Sequence, residues 1–144
     1  MSRQAELRVI FDRVASPDNE SGLAAASELA ACNADEWACV DALWGTRSDS
    51  PLLARRIGSA CLAQAERKTL AALWYRRALK MIDTEKDYLA AAEVRLELAK
   101  ALYVNGDTRG AIELLANRMD PRPLSADLAA RYEALLNEIA ASHK

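Results

Sequence analysis

The chain of 144 residues has the length of one ordinary domain, a formal net charge of −2, and more than a third of its positions taken by Ala (30) and Leu (20). Val, Ile and Thr together number 14 and Phe occurs once, which excludes a sheet domain and an α/β domain with Val/Ile-rich central strands. Five glycines, no two closer than Gly106 and Gly110, assemble no phosphate loop, and a single histidine, His143, removes Ser-His and Cys-His catalysis.

In chain order, helices are expected over 3–15, 21–32, 35–45, 51–64, 68–82, 86–104, 108–119 and 124–141, separated by clusters of Gly, Pro, Asn, Asp and Ser. The first carries the apolar stripe Leu7, Ile10, Phe11 and Val14, which must be covered. The third carries Trp37, Val40 and Trp44 at helical spacing. Core packing is the favoured role for these indoles. As the alternative, Trp37, Trp44 and Trp74 are candidate interface anchors, since Trp is enriched at binding hot spots. Ser50 before Pro51 and Asp107 after Gly106 are expected N-caps, and Asn105-Gly106 a C-terminal stop. Ser125 is expected to cap the last helix, whose stripe is Leu128, Leu135, Leu136 and Ile139.

Charge is unevenly distributed along these elements. Residues 1–50 hold 4 Lys/Arg against 9 Asp/Glu, residues 51–80 hold 7 against 1, and residues 81–144 hold 8 against 11. The middle is a basic block of Arg55, Arg56, Arg67, Lys68, Arg76, Arg77 and Lys80. Arg76 and Lys80 stand at i,i+4, where like charges repel unless an anion is near, and the acid-rich 1–50 segment is the expected source. A sequence pI near 5.5 and the lack of a recognition motif argue against nucleic acid. Cys32, Cys39 and Cys61 form no CxxC and are odd in number, so core positions in a reducing compartment are expected. Charge interrupts the opening residues, and no apolar run reaches the length of a membrane span, so neither a signal peptide nor membrane attachment is expected and the location expected is cytoplasmic. Neither metal nor cofactor is expected. Glu93 and Glu97, one turn apart, have no further ligand-type residues converging and are taken as a solvated face.

Eight short helices can form a bundle or a solenoid, and internal repetition discriminates. Residues 92–123 contain Leu98, Ala99 and Leu102 on one helix, Gly106 and Asp107 in a turn, Ala111 and Leu115 on the next helix, then Pro123. This resembles a tetratricopeptide repeat, with two departures: Arg95 at the usual aromatic position and Arg118 at a usual alanine. The small residues make physical sense alone, since Ala99 and Ala111 let two antiparallel helices touch. A weaker unit over 51–83 has Ile57, Gly58 and Cys61, then Ala71, Tyr75 and Ala78. A degenerate hairpin over 21–50 has Ala25, Ala26 and Leu29, then Ala38 and Ala42. The expected organisation is one domain over 1–144. Its parts are a capping helix in 1–20, the hairpins 21–50, 51–83 and 86–123, and a capping helix in 124–144. The fold expected is all-α, a short right-handed solenoid of about three hairpins.

What the resemblance implies is non-catalytic binding of a protein or peptide segment in a groove lined by first helices. The implied groove positions are Glu93, Leu96, Lys100, Tyr103 and Val104 in the best unit and Leu52, Arg55 or Arg56, and Ser59 in the weaker one. Cations there would hold carboxylates of an acidic segment through charge-assisted hydrogen bonds. Against this, Arg55, Arg56 and Lys100 could be solvated or paired with the chain's own acids, though exposed pairs contribute only about 0–1 kcal/mol. The implied roles are adaptor, scaffold or chaperone, of which the small chaperones of bacterial type III secretion are one family-level example. The Ala- and Arg-rich usage fits a bacterial chain. A self-associating module, a homodimer through Trp37, Trp44 and the first helix, is the rival reading.

Overall fold

The computed structural model describes residues 2–46, 50–64, 67–83, 86–116 and 122–142. Arg118 and His143, and the breaks at 47–49, 65–66, 84–85 and 117–121, lie outside the described residues. Among the described residues the only regular elements are helices: α1 (Arg3–Val14), α2 (Asn19–Ala30), α3 (Ala34–Thr46), α4 (Pro51–Leu62), α5 (Lys68–Met81), α6 (Tyr88–Val104), α7 (Thr108–Ala116) and α8 (Ala126–Ser142). The fold is all-α. The helix starts follow from local chemistry. Ser2, Ser50, Asp107 and Ser125 each accept from a backbone N–H three residues on, at 2.9–3.2 Å. At α3 the bond is reciprocal. Glu36 N–H donates to Asn33 Oδ1 at 2.9 Å, and Asn33 N–H donates to Glu36 Oε1 at 3.0 Å, a capping box with Asn in place of Ser or Thr.

The chain forms two compact units, Met1–Met81 and Ile82–Lys144. In the first, α1 pairs with α2, α2 with α4, and α4 with α5, while α3 lies on α1. The tryptophans of α3 meet Trp74 of α5, so the five helices close in the cyclic order α1, α2, α4, α5, α3. Leu7, Phe11, Leu29, Leu53, Ile57 and Trp74 are fully buried in its core. At Gly58 an added Cβ would stand 3.2 Å from the ring of Tyr75, so the missing side chain makes room for that aromatic.

The hairpin expected over 21–50 is not the one formed. Leu29, Ala25 and Ala26 of α2 are buried, but α2 takes α1 and α4 as its neighbours. Ala38 and Ala42, assigned from sequence to the helix contact, are exposed, and α3 turns in Trp37, Val40 and Trp44. The physical reason is size. Burying two indoles removes far more apolar surface from water than burying two methyl groups, so the Trp face of α3 goes inward.

In the second unit α6 pairs with α7, and α8 packs on both. Leu98, Ala99, Leu102, Ala111 and Leu115, the residues that carry the repeat pattern, are all buried. The turn between α6 and α7 is a Schellman motif: Asp107 N–H donates to Leu102 O at 2.8 Å and Gly106 N–H to Tyr103 O at 3.0 Å. It needs φ +91° at Gly106, a conformation open to glycine at little cost. Asp107 then caps α7, so three consecutive residues end one helix and start the next.

Candidate functional site

Of the basic block, Arg55 and Arg56 are the expected groove residues, and Arg56, Arg67 and Arg77 are employed inside unit 1. Arg56 lies on the same arc of α4 as Leu53, Ile57 and Ala60, and only 6% of it is exposed. Its Nη1 donates to Val14 O and to Ser16 O, both at 2.6 Å, and Nη2 approaches Asn19 Oδ1 at 3.4 Å. These carbonyls lie at the C-terminal end of α1, where the helix dipole favours a cation. Arg67 does the same for α2: Nε donates to Ala30 O at 3.2 Å and Nη2 to Cys32 O at 2.5 Å. Arg77 pairs with Asp41 at 2.8 Å and covers the face of Trp74, 4.5 Å from the ring centroid. Arg56 is therefore no groove residue, because it is buried with Nη1 on the end of α1 and Nη2 beside Asn19, while its Nε is buried with no partner among the described residues. Arg55, its neighbour, is half-buried, and Arg76 and Lys80 are exposed.

Gly22 belongs to the same arrangement and was missed. An added Cβ there would overlap the Arg56 guanidinium and stand 2.9 Å from Val14 O. A glycine inside an otherwise helical run is the sequence signal of such close approach.

Trp37, Trp44 and Trp74 are 7%, 9% and 0% exposed, which makes them core and withdraws them as interface anchors. Trp37 and Trp74 lie 6.0 Å apart between centroids, and Trp44 meets Trp74 edge-on at 5.5 Å. The homodimer reading loses these residues with them. The Trp37 and Trp74 indole N–H groups are buried and have no hydrogen-bond partner among the described residues. Each such donor costs about 1–3 kcal/mol. Ion pairs at the edges of α3, Arg3 with Glu36 and Arg77 with Asp41, are partly exposed and return only about 0–1 kcal/mol each. Aromatic burial, not polar contact, holds α3. The Glu36 carboxyl sits below its ordinary pKa because it accepts from the Asn33 backbone and then from Arg3.

In unit 2 the candidate residues fall along α6. Leu96 is 6% exposed and belongs to the packing. Lys100 is exposed and Tyr103 is half-buried, with Val104 beside them 41% exposed. Glu93 is half-buried, 3.7 Å from Arg131 of α8, which also approaches Asp127 at 3.9 Å. Arg122 covers the ring of Tyr88 at the start of α6, and Tyr132 of α8 donates to Ala92 O at 2.5 Å. The segment before α8 thus meets the first residue of α6, and α8 itself meets α6 at Ala92 and Glu93. α7 and α8 cover part of α6 and leave Lys100 and Val104 to solvent.

No cluster of three or more His, Cys, Asp or Glu that could hold a metal occurs among the described residues. All three cysteines are unpaired, Cys32 and Cys61 buried and Cys39 half-exposed. Burial pushes the Cys61 thiol up to about 12 and raises that of Cys32. Because the thiolate is the reacting form, iodoacetamide at pH 8 should modify Cys39 first and leave Cys61 untouched until the chain is unfolded. Peptide mass spectrometry over a time course reads this directly, and early labelling of Cys61 would refute it. No described helix is long and apolar enough to cross a membrane. Comparisons with family models, with curated proteins and with solved structures find no match for this chain.

Proposed function

We propose that the chain is a non-catalytic binding module of tetratricopeptide-like hairpins that holds a segment of another protein. The observation that carries this reading is the side of α6 left uncovered by α7 and α8, where Lys100 and Val104 are exposed and Tyr103 is half-buried. A cation beside apolar surface suits a segment with a carboxylate next to an aliphatic or aromatic side chain. The helical pairs that this reading builds on are α1–α2 and α4–α5 within unit 1 and α6–α7 within unit 2. The three unpaired cysteines support a reducing compartment such as the cytoplasm. An adaptor or chaperone role follows from the same reading.

Selection from a displayed random peptide library tests it. The wild-type chain should enrich peptides that place Asp or Glu beside an apolar residue. Lys100→Glu combined with Tyr103→Ala removes one charge-assisted bond and one apolar contact at partly exposed positions. It should weaken the enriched peptides by about tenfold or more while the thermal midpoint holds. Failure to enrich any peptide, or enrichment indifferent to the double substitution, would overturn the reading.

A further inference from the structure

The ring of unit 1 has one joint unlike the others. α1, α2, α4 and α5 are close backbone neighbours in turn, and α2, α4 and α5 each bury small residues such as Ala26, Ala54 and Ala71. α3 instead reaches α5 through indoles. Among its described side chains Trp37, Val40 and Trp44 are buried, and two unpartnered indole N–H groups lie in that joint. Its edges are held by Arg3 with Glu36 and Arg77 with Asp41, where Arg3 and Asp41 are about half exposed at 51% and 48%. A helix whose backbone lies close chiefly to α1, and whose contact with α5 leaves buried donors unsatisfied, is the part of the ring that opens at least cost.

We propose that α3 is a detachable helix, and that its seat on α1 and Trp74 is a docking site for an acidic amphipathic helix of a partner protein. The seat defines that partner. It offers the Trp74 ring for an aromatic residue, a branched aliphatic three positions on, and a second aromatic four further, the spacing of Trp37, Val40 and Trp44. Arg3 and Arg77 remain at its two rims when α3 leaves, so the incoming helix carries carboxylates where α3 carries Glu36 and Asp41. This site lies wholly in unit 1 and does not depend on the role assigned to Lys100.

Hydrogen exchange on the full chain tests the opening, and a fluorescein-labelled synthetic peptide of residues 34–46 tests the seat. The amides of 38–46 are expected to exchange together, at least tenfold faster than those in the middle of α4 and α5. Asp41→Asn is expected to speed them several-fold more and leave α4 and α5 unchanged. The peptide is expected to bind the full chain, and its E36Q/D41N form to bind at least tenfold more weakly. Protection of 38–46 equal to that of α4 and α5 overturns the proposal, and so does a peptide that fails to bind or binds without regard to its carboxylates.

Discussion

Arg56→Ala should destabilise unit 1 by about 3 kcal/mol, the scale of losing two charge-assisted hydrogen bonds and leaving their acceptors unpaired. An arginine on an open groove would shift stability by no more than about 0.5 kcal/mol. All three tryptophans lie in unit 1, so urea unfolding followed by indole fluorescence reports this unit alone. Arg56→Lys should recover only part of the loss, because one ammonium does not reproduce a planar fork on Val14 O and Ser16 O. Gly22 supplies the internal control. Gly22→Ala in the wild type drives a methyl into the guanidinium and should be severe. In the Arg56→Ala background that overlap disappears, and only the Val14 carbonyl at 2.9 Å still opposes the new Cβ. The two substitutions should therefore be strongly non-additive. Additive costs, or a loss below 1 kcal/mol for Arg56→Ala, would show that the clamp carries no weight.

Trp74→Ala should cost about 3–5 kcal/mol, the upper range for large-to-small changes in a core. Trp74 is fully buried and is the point at which Trp37, Trp44 and the Arg77 guanidinium meet. Its removal leaves α3 resting on α1 without its aromatic bridge to α5. Trp74→Phe keeps an aromatic face and deletes a buried donor that has no acceptor, so its cost should be less than half that of the alanine change. Far-UV circular dichroism in urea is the measurement, since the fluorescent groups themselves change. Equal costs for the two variants would mean that the ring contacts contribute little.

Element positions were legible in the sequence because punctuation is local. Pro51 after Ser50, and Asn105-Gly106-Asp107, specify helix ends through their own hydrogen bonds, and the structure places them within a residue or two of expectation. Neighbour choice was not legible. Helical periodicity locates an apolar stripe but leaves open which helix covers it, and alanine-rich faces such as that of α2 fit several neighbours equally. For α3 the deciding quantity was indole size. Arg55 and Arg56 are indistinguishable in sequence, and a rotation of 100° about α4 separates a half-buried side chain from a buried clamp. Lys100 is exposed as the repeat pattern expects, whereas Leu96, assigned by the same pattern to the groove, is buried.

The two arginine clamps also impose an order on chain formation. The end of α1 is completed by Arg56, about 40 residues downstream, and the end of α2 by Arg67, about 35 residues downstream. A nascent chain that has emerged only through α2 can pair two helices, yet the last carbonyls of both remain open to water. Their closure waits for α4 and the turn after it. One stretch of sequence thus supplies the last partners of two helices that precede it by about 35 to 40 residues.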